Sequence, residues 1–465
     1  MEYTKLQHKV QALIPEAAWG ILSELMKKGA RPVLVGGAVR DLLLGAHVKD
    51  IDIEVHGIAL NKLEDILKIF GHVRMVGKTY GVLRIDSIPI DWSLPRTDSS
   101  GRKPKVTIDP SLSIKDAFAR RDLTLNALGI DLKTFELLDP FGGLDDIKHR
   151  RLRTPDPKRF VEDPLRLYRV MQFVGRFSMQ PDDELNELCA FMNVSDVSVE
   201  RVEQEFNKLF LYSPQPSLGV KWLHTIGRLQ DLFPELYALI GLEQTSEYHP
   251  EGDVFEHTMQ AIDSAATFSY DGDKEKLVIM YATLCHDLGK PEATHYVDGR
   301  LRSIGHEDVG VAVAQKLLRR LTRNHDLIDR VVVLVKYHMC PGQLVKQNAS
   351  LAAYKRLAKK LEPLCTMLQL AYVFRADVLA RNPNIGMPLT AEPEAVRRFL
   401  ECVRQAAVEK HAELPVLTGK DLAGIVEPGP KMGNMLKKAY EIQINNGITD
   451  KDKILKLLLL KSAGA

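Results

Sequence analysis

Long hydrophobic runs are missing from this chain of 465 residues. No apolar stretch approaches the roughly 20 residues that a membrane-spanning helix needs. Met1 to Gln11 is too polar for a secretory signal. Cysteine is sparse and scattered. Cys189, Cys285, Cys340, Cys365 and Cys402 include no Cys-x-x-Cys pair, which argues against a disulfide frame or zinc ribbon and for a reducing compartment. An excess of one charge is missing too. The 63 Lys and Arg offset 61 Asp and Glu, leaving +2, so any nucleic-acid surface must be a local patch. There is no internal repeat and no low-complexity segment. The length accommodates two to four domains. A cytoplasmic enzyme is the expectation, with no membrane partner.

The richest stretch runs from Leu34 to Glu54. An apolar run, Val33 to Val35, ends at Gly36-Gly37. A helical pattern with Val39, Leu42 and Leu43 follows and stops at Gly45. In Asp50-Ile51-Asp52-Ile53, strand alternation puts both carboxylates on one face and both isoleucines on the other. Two such carboxylates can share divalent metal ions. Gly36 and Gly37 let backbone approach a phosphate, and Arg40 sits one turn into the helix, near its positive end. Together these make a site for a Mg-nucleotide. A bare Asp-x-Asp is usually a solvated strand edge; its coupling to GGxVRDxLLG is what makes it specific. This stretch resembles the class II tRNA nucleotidyltransferases, the CCA-adding enzymes, and the bacterial poly(A) polymerases of the same superfamily.

Around it, Pro15 to Lys28 and Leu60 to Phe70 read as helices. Val73 to Val76, Val82 to Ile85 and Ile88 to Trp92 read as strands. Alternation sets Ile88, Ile90 and Trp92 against Pro89 and Asp91. Asp91 is therefore a candidate third carboxylate, or an edge-strand Asp. Arg96 to Pro110 reads as a loop; the resemblance gives a flexible loop here a part in changing from C to A addition. Arg120-Arg121-Asp122 suits a triphosphate and ribose hydroxyls, or a surface salt bridge; it resembles the family's RRD motif. Asp139 to Gly143 is a turn closing a hairpin. Lys148 to Arg159 carries six cations (Lys148, Arg150, Arg151, Arg153, Lys158, Arg159) against Asp156, a solvated face or a phosphate contact.

Glu162-Asp163-Pro164-Leu165-Arg166 starts a helix. Asp163 and Arg166 share a face, which Arg169 extends. The plain reading is an i,i+3 ion pair. The functional reading is base choice: a carboxylate accepts from N4 of C or N6 of A, and a guanidinium donates to the adjacent ring nitrogen. EDPLR resembles the family's EDxxR motif, which reads the incoming base without a template. Ser198 to Phe206 resembles the family's neck. Val76 to Gly81 (VGKTYG) lacks the basic motif usual in poly(A) polymerases and looks like the CCA-adding form.

A second set follows: His257, His286-Asp287 in CHDLGK, His306, His338 and Asp377, on helical segments. Histidine and carboxylate from several helices can converge on a divalent ion. The set resembles the HD phosphohydrolase superfamily. That resemblance makes His257, His286, Asp287 and Asp377 core ligands and His306 and His338 an extra site, with none of the core set missing. Leu417 to Leu422 and Pro428 to Gly433, with the helix after them, look like the tail of HD-containing CCA-adding enzymes; Lys431, Lys437 and Lys438 there are phosphate contacts or a solvated helix face.

The expected fold is α+β. It comprises a nucleotidyltransferase palm with a small mixed sheet over 1–152, a helical RNA-binding neck over 153–245, an HD domain over 246–395 and a helical tail over 396–465. The expected activity is addition of CCA to tRNA from CTP and ATP, joined to a metal-dependent phosphohydrolase. Asp50, Asp52 and Asp91 are its catalytic carboxylates, with Mg²⁺ at the palm and Mn, Fe, Co or Ni at the HD site. CC-only or A-only addition and polyadenylation are the nearer alternatives. A nucleotide-signalling or protein-modifying transferase is the distant one. The oligomeric state stays open.

Overall fold

The computed structural model describes residues 3–76, 81–98, 106–245, 247, 249–384 and 386–463. The chain forms two compact units, Met1–Leu209 with Leu218–Arg228, and Phe210–Ser217 with Leu229–Ala465.

The first unit is built on a mixed sheet of seven strands. Their order is Val73–Val76, Val82–Ile85, Ile88–Ser93, Ile51–His56, Arg31–Val35, Gly129–Asp131, Leu137–Leu138. Only Ile51–His56 and Ile88–Ser93 run parallel, with Asp52 opposite Asp91; the other neighbours are antiparallel. The apolar run of Arg31–Val35 is buried after its first residue, as suits a central strand covered on both faces. Ile53, Val55, Ile90 and Trp92 share a core with Ile21, Leu22 and Leu25. The latter three come from the helix Glu16–Lys27. Each such fully buried side chain is worth roughly 1.5–3 kcal/mol.

Several expectations change. Asp91 lies on an interior strand, so the edge-strand reading falls. The segment read as a loop over Arg96–Pro110 has paired ends: Arg96–Asp98 and Val106–Ile108 form an antiparallel ladder, as suits Val106, Thr107 and Ile108, all three β-branched. The residues between lie outside the described set, as does most of VGKTYG. Asp139 does not close a hairpin. Its carboxylate accepts from Gly143 and Leu144 N–H at 2.7 and 2.9 Å, starting the helix Gly143–Lys148. The basic run is partly neutralised: Arg151 and Arg153 both reach buried Asp146. Lys148, Arg150 and Lys158 stay exposed.

The second unit is mainly helical. Val254–Ala266, Asp273–Cys285, His306–Leu321, His325–Tyr337 and Met367–Leu379 carry its core. Val254–Ala266 is buried almost all round, the mark of a central helix. The hairpin Thr294–Val297 with Arg300–Ser303 interrupts the helices, a departure from the all-helical expectation. Pro430–Asn446 and Lys451–Ala463 close a satellite core around Leu422, Ala439, Ile454 and Leu458. Among the described residues no helix is long and apolar enough to cross a membrane.

Candidate functional sites

In the first unit the site gathers where the start of Ile51–His56 lies beside the middle of Ile88–Ser93. Asp50 precedes its strand and is exposed; Asp52 and Asp91 are half-buried side by side. Burial above all raises the Asp52 carboxyl from its usual range, Arg121 opposes this, and Asp91 and Asp50 add to it. Arg84, opposite Asp91 across the sheet, grips both its oxygens at 2.5 and 2.8 Å. Three carboxylates this close repel one another, and oxygen donors of this kind suit a hard divalent cation.

Gly36 takes φ +72° at the strand-to-helix turn, and a Cβ there would lie 2.7 Å from Arg121 Nη1. The positive φ favours glycine, and a side chain here would displace the Arg121 guanidinium. Arg121 in turn lies over Phe118 and, with Arg120, approaches Glu54 at 4.0 and 3.3 Å. Burial would raise the Glu54 carboxyl, but the His56 hydrogen bond and the charges of Arg121 and Arg120 lower it. Glu54 was not singled out in the sequence, although strand alternation places it on the face of Asp50 and Asp52.

Arg40 turns inward. Its guanidinium donates to Asp41 at 2.8 Å and Asn126 at 2.6 Å and lies over Phe173 and Phe177. It braces the turn from behind, with one nitrogen 3.4 Å from the Cβ position of Gly37. Asp122 is buried as well. It accepts from Arg169 at 2.6 Å and Asn126 at 2.8 Å. Burial pushes its carboxyl up, and the Arg169 charge and these hydrogen bonds pull it well below the usual range.

The expected Asp163–Arg166 ion pair is not formed. Asp163 stands before Pro164, so its carboxylate accepts from Leu165 N–H at 3.2 Å and pairs with Arg201 at 2.8 Å. Arg166 donates to the carbonyls of Arg159 and Arg120 at 2.7 and 2.5 Å. The helix Leu165–Phe177 is thereby tied to the Arg-Arg-Asp segment. Arg201 lies in SVERVEQEF, but nothing local in the sequence names its partner.

In the second unit six expected side chains converge. His257 Nε2 lies 3.1 Å from Asp377 and 3.3 Å from His286 Nε2. Asp287 Oδ2 lies 3.1 Å from His286 Nε2, and Oδ1 lies 3.3 and 3.8 Å from the Nε2 atoms of His306 and His338. Asp287 thus joins two groups that could each hold an ion: His257, His286 and Asp287, and Asp287, His306 and His338.

The outer contacts fit that reading. Nδ1 of His286, His306 and His338 meets the carbonyls of Thr283, Ser303 and Val335 at 2.6–2.7 Å. His257 Nδ1 meets buried Glu251 at 2.6 Å. These contacts assign the proton to Nδ1 and leave every Nε2 lone pair facing inward, the arrangement of metal-ligating histidine. Burial opposes protonation of His257, yet Asp377 and Glu251 raise its affinity for a proton; a cation would take that proton's place.

The sequence reading missed Glu251, Lys290 and Arg381. Lys290 Nζ is 2.7 Å from Asp287 and Arg381 is 3.0 Å from Asp377. Their spacing, three and four residues along a helical segment from each Asp, was the available signal. The donors open onto a cavity of 540 Å³ also lined by Lys346, Leu301, Met339 and Phe374.

Residues 33–153 match the poly A polymerase head domain, 187–239 the probable RNA and SrmB-binding site of polymerase A, and 254–382 the HD domain. A multifunctional CCA protein from Xanthomonas campestris pv. campestris is 32% identical over 87% of this chain and 96% of its own. The chain belongs to the multifunctional CCA protein family. Its counterpart from Pasteurella multocida is 35% identical over 66% of this chain and 73% of its own. In fold the chain is similar to the Bacillus stearothermophilus CCA-adding enzyme solved with CTP, at TM-score 0.66, 20% identity and 97% and 99% coverage. The Thermotoga maritima CCA-adding enzyme solved with tRNA gives TM-score 0.60 at 20% identity, covering 99% and 98%. Family membership sets aside the nucleotide-signalling and protein-modifying alternatives.

Proposed function

We propose that the first unit adds CCA to tRNA 3′ ends from CTP and ATP, and that the second hydrolyses phosphate esters at RNA ends. The observation that carries the first reading is the carboxylate trio Asp50, Asp52 and Asp91 beside Arg121 and the Gly36 turn. Asp50, Asp52 and Asp91 would hold Mg²⁺, which when bound neutralises charge at the reacting phosphate and lowers the pKa of the attacking 3′-hydroxyl. Arg121 and Arg120, held by Glu54, present guanidinium groups to the triphosphate. Arg166, Asp163 and Arg169 form the base-facing side. Arg201 and Asp122 fix the last two in place, so C and A are chosen by positioned donors and acceptors.

In the second unit His257, His286, Asp287 and Asp377 would hold a transition metal, with His306 and His338 a further one. Such an ion supplies hydroxide near neutral pH. Lys290 and Arg381 place positive charge at the cavity wall, where a phosphate would sit. A 2′,3′-cyclic phosphate or 3′-phosphate is the fitting substrate, since its removal frees the hydroxyl that the first unit extends.

The test uses tRNA lacking its 3′ end with each nucleotide separately. Asp50→Ala and Asp52→Ala are expected to abolish addition. Near-normal transfer by both single variants would sink the assignment.

A further inference from the structure

The hairpin Thr294–Val297 and Arg300–Ser303 contributes no side chain to either ligand set. Its register pairs Thr294 with Ser303, His295 with Arg302, Tyr296 with Leu301 and Val297 with Arg300. Opposed residues share a face, and faces alternate along a strand. Thr294, Tyr296, Leu301 and Ser303 therefore lie on one face and His295, Val297, Arg300 and Arg302 on the other.

The first face belongs to the metal cavity. Leu301 and Ser303 line it, and the Ser303 carbonyl holds His306 Nδ1 at 2.7 Å. On that same face Tyr296 is 73% exposed. The second face is basic and open. His295, Arg300 and Arg302 are exposed and, among the described residues, face no carboxylate partner. Other arginines of this unit, Arg375 and Arg381, are each paired. Lys346 adds an exposed cation at the cavity itself. A solvent-facing ring gains little stability for the fold, and unpaired guanidinium groups gain less. An exposed aromatic ring on one face and cations without a carboxylate partner on the other, carried by one narrow two-stranded hairpin, is chemistry that holds a single-stranded polynucleotide crossing the hairpin's edge, by stacking and by phosphate contact.

We propose that this hairpin guides the 3′ segment of an RNA strand into the metal cavity, with Tyr296 stacking on a base and Arg300 and Arg302 meeting upstream phosphates. The proposal rests on the reading of that cavity as a phosphohydrolase site. Distance supports a polymer over a mononucleotide. Ser303 and Arg300 are three residues apart on one strand, roughly 10 Å. Successive phosphates of one strand span that separation, which a single phosphate at the metal donors does not.

The test compares two substrates of the full chain: a five-nucleotide RNA ending in a 2′,3′-cyclic phosphate, and 2′,3′-cyclic AMP. Mn²⁺, Fe²⁺, Co²⁺ and Ni²⁺ are supplied in turn. Tyr296→Ala is expected to lower kcat/KM on the oligonucleotide roughly 10-fold or more, the scale of one lost base stack, and to leave cyclic AMP hydrolysis unchanged. Tyr296→Phe keeps the ring and should keep the activity. The double variant Arg300→Ala/Arg302→Ala should flatten the salt dependence of the oligonucleotide reaction by a slope of about 1.4, two phosphates at 0.7 each. Wild type that hydrolyses cyclic AMP while the variants change neither substrate, or both equally, overturns the guide and leaves the cavity reading standing. Wild type inert on both substrates with every metal overturns the cavity reading, and the guide with it.

Discussion

Asp122 and Arg169 lie 47 residues apart in sequence yet meet at 2.6 Å. The carboxylate is buried, so removing its charge leaves the guanidinium short of its partner. Breaking a buried pair by one member costs roughly 3–5 kcal/mol, and Asp122→Asn should sit near the lower end because the amide can still hydrogen-bond. The pH dependence has a fixed sign. The folded carboxyl is depressed, so its stabilisation is complete above the unfolded value of about 3.9 and is lost as pH falls below it. Relative to wild type, the deficit of Asp122→Asn in urea unfolding should shrink by about 0.7 kcal/mol between pH 7 and pH 3.5. A deficit that is flat over that range would mean the charge is not what matters. At this scale the sequence is legible for residue type and blind to partner. Arg-Arg-Asp and Glu-Asp-x-x-Arg name segments that the fold brings together, Arg166 meeting the Arg120 carbonyl and Arg169 meeting Asp122. That Arg201 takes Asp163, and that Arg166 holds backbone carbonyls, follows from a carboxylate placed ahead of Pro164, where capping competes with an i,i+3 pair.

Elements were readable wherever a period had room to show itself. The strand Ile88–Ser93 and the buried face of Glu16–Lys27 follow from alternation and from helical spacing. Leu137–Leu138 and the ladder at Arg96–Asp98 are too short to carry a period. The Gly of CHDLGK is legible only with the structure in hand. A Cβ on Gly289 would stand 2.1 Å from the His306 carbonyl and 2.6 Å from the Gly310 nitrogen. That closeness seats the start of the helix His306–Leu321, and with it the His306 ring, against Asp287. Gly289→Ala must push this helix away. It should weaken metal retention by the second unit and cut phosphate-ester hydrolysis at least 10-fold, on the scale of a lost outer contact to a ligand, while nucleotide addition persists. Metal content after dialysis, read beside both activities, checks this. Wild-type metal content and hydrolysis would show that the contact is slack.

Across the whole molecule, two compact units carry donor sets of different chemistry. The first offers carboxylate oxygens alone, Asp50, Asp52 and Asp91. The second offers His257, His286, His306 and His338 with Asp287 and Asp377. Oxygen-only sets suit Mg²⁺, a hard ion that keeps much of its water, whereas imidazole suits the later first-row metals. One chain should therefore sort two metals without either unit excluding the other's ion sterically. Chelation should silence both activities. Add-back of Mg²⁺ alone should restore nucleotide addition and leave phosphate-ester hydrolysis near its chelated level. Mn²⁺, Fe²⁺, Co²⁺ or Ni²⁺ should then restore hydrolysis. His286→Ala should lose only the second response, and Asp52→Ala only the first. The informative failure is full recovery of both activities by Mg²⁺ alone. It would mean that the four imidazoles do not set metal choice, and that the carboxylates of Asp287 and Asp377 dominate the second site.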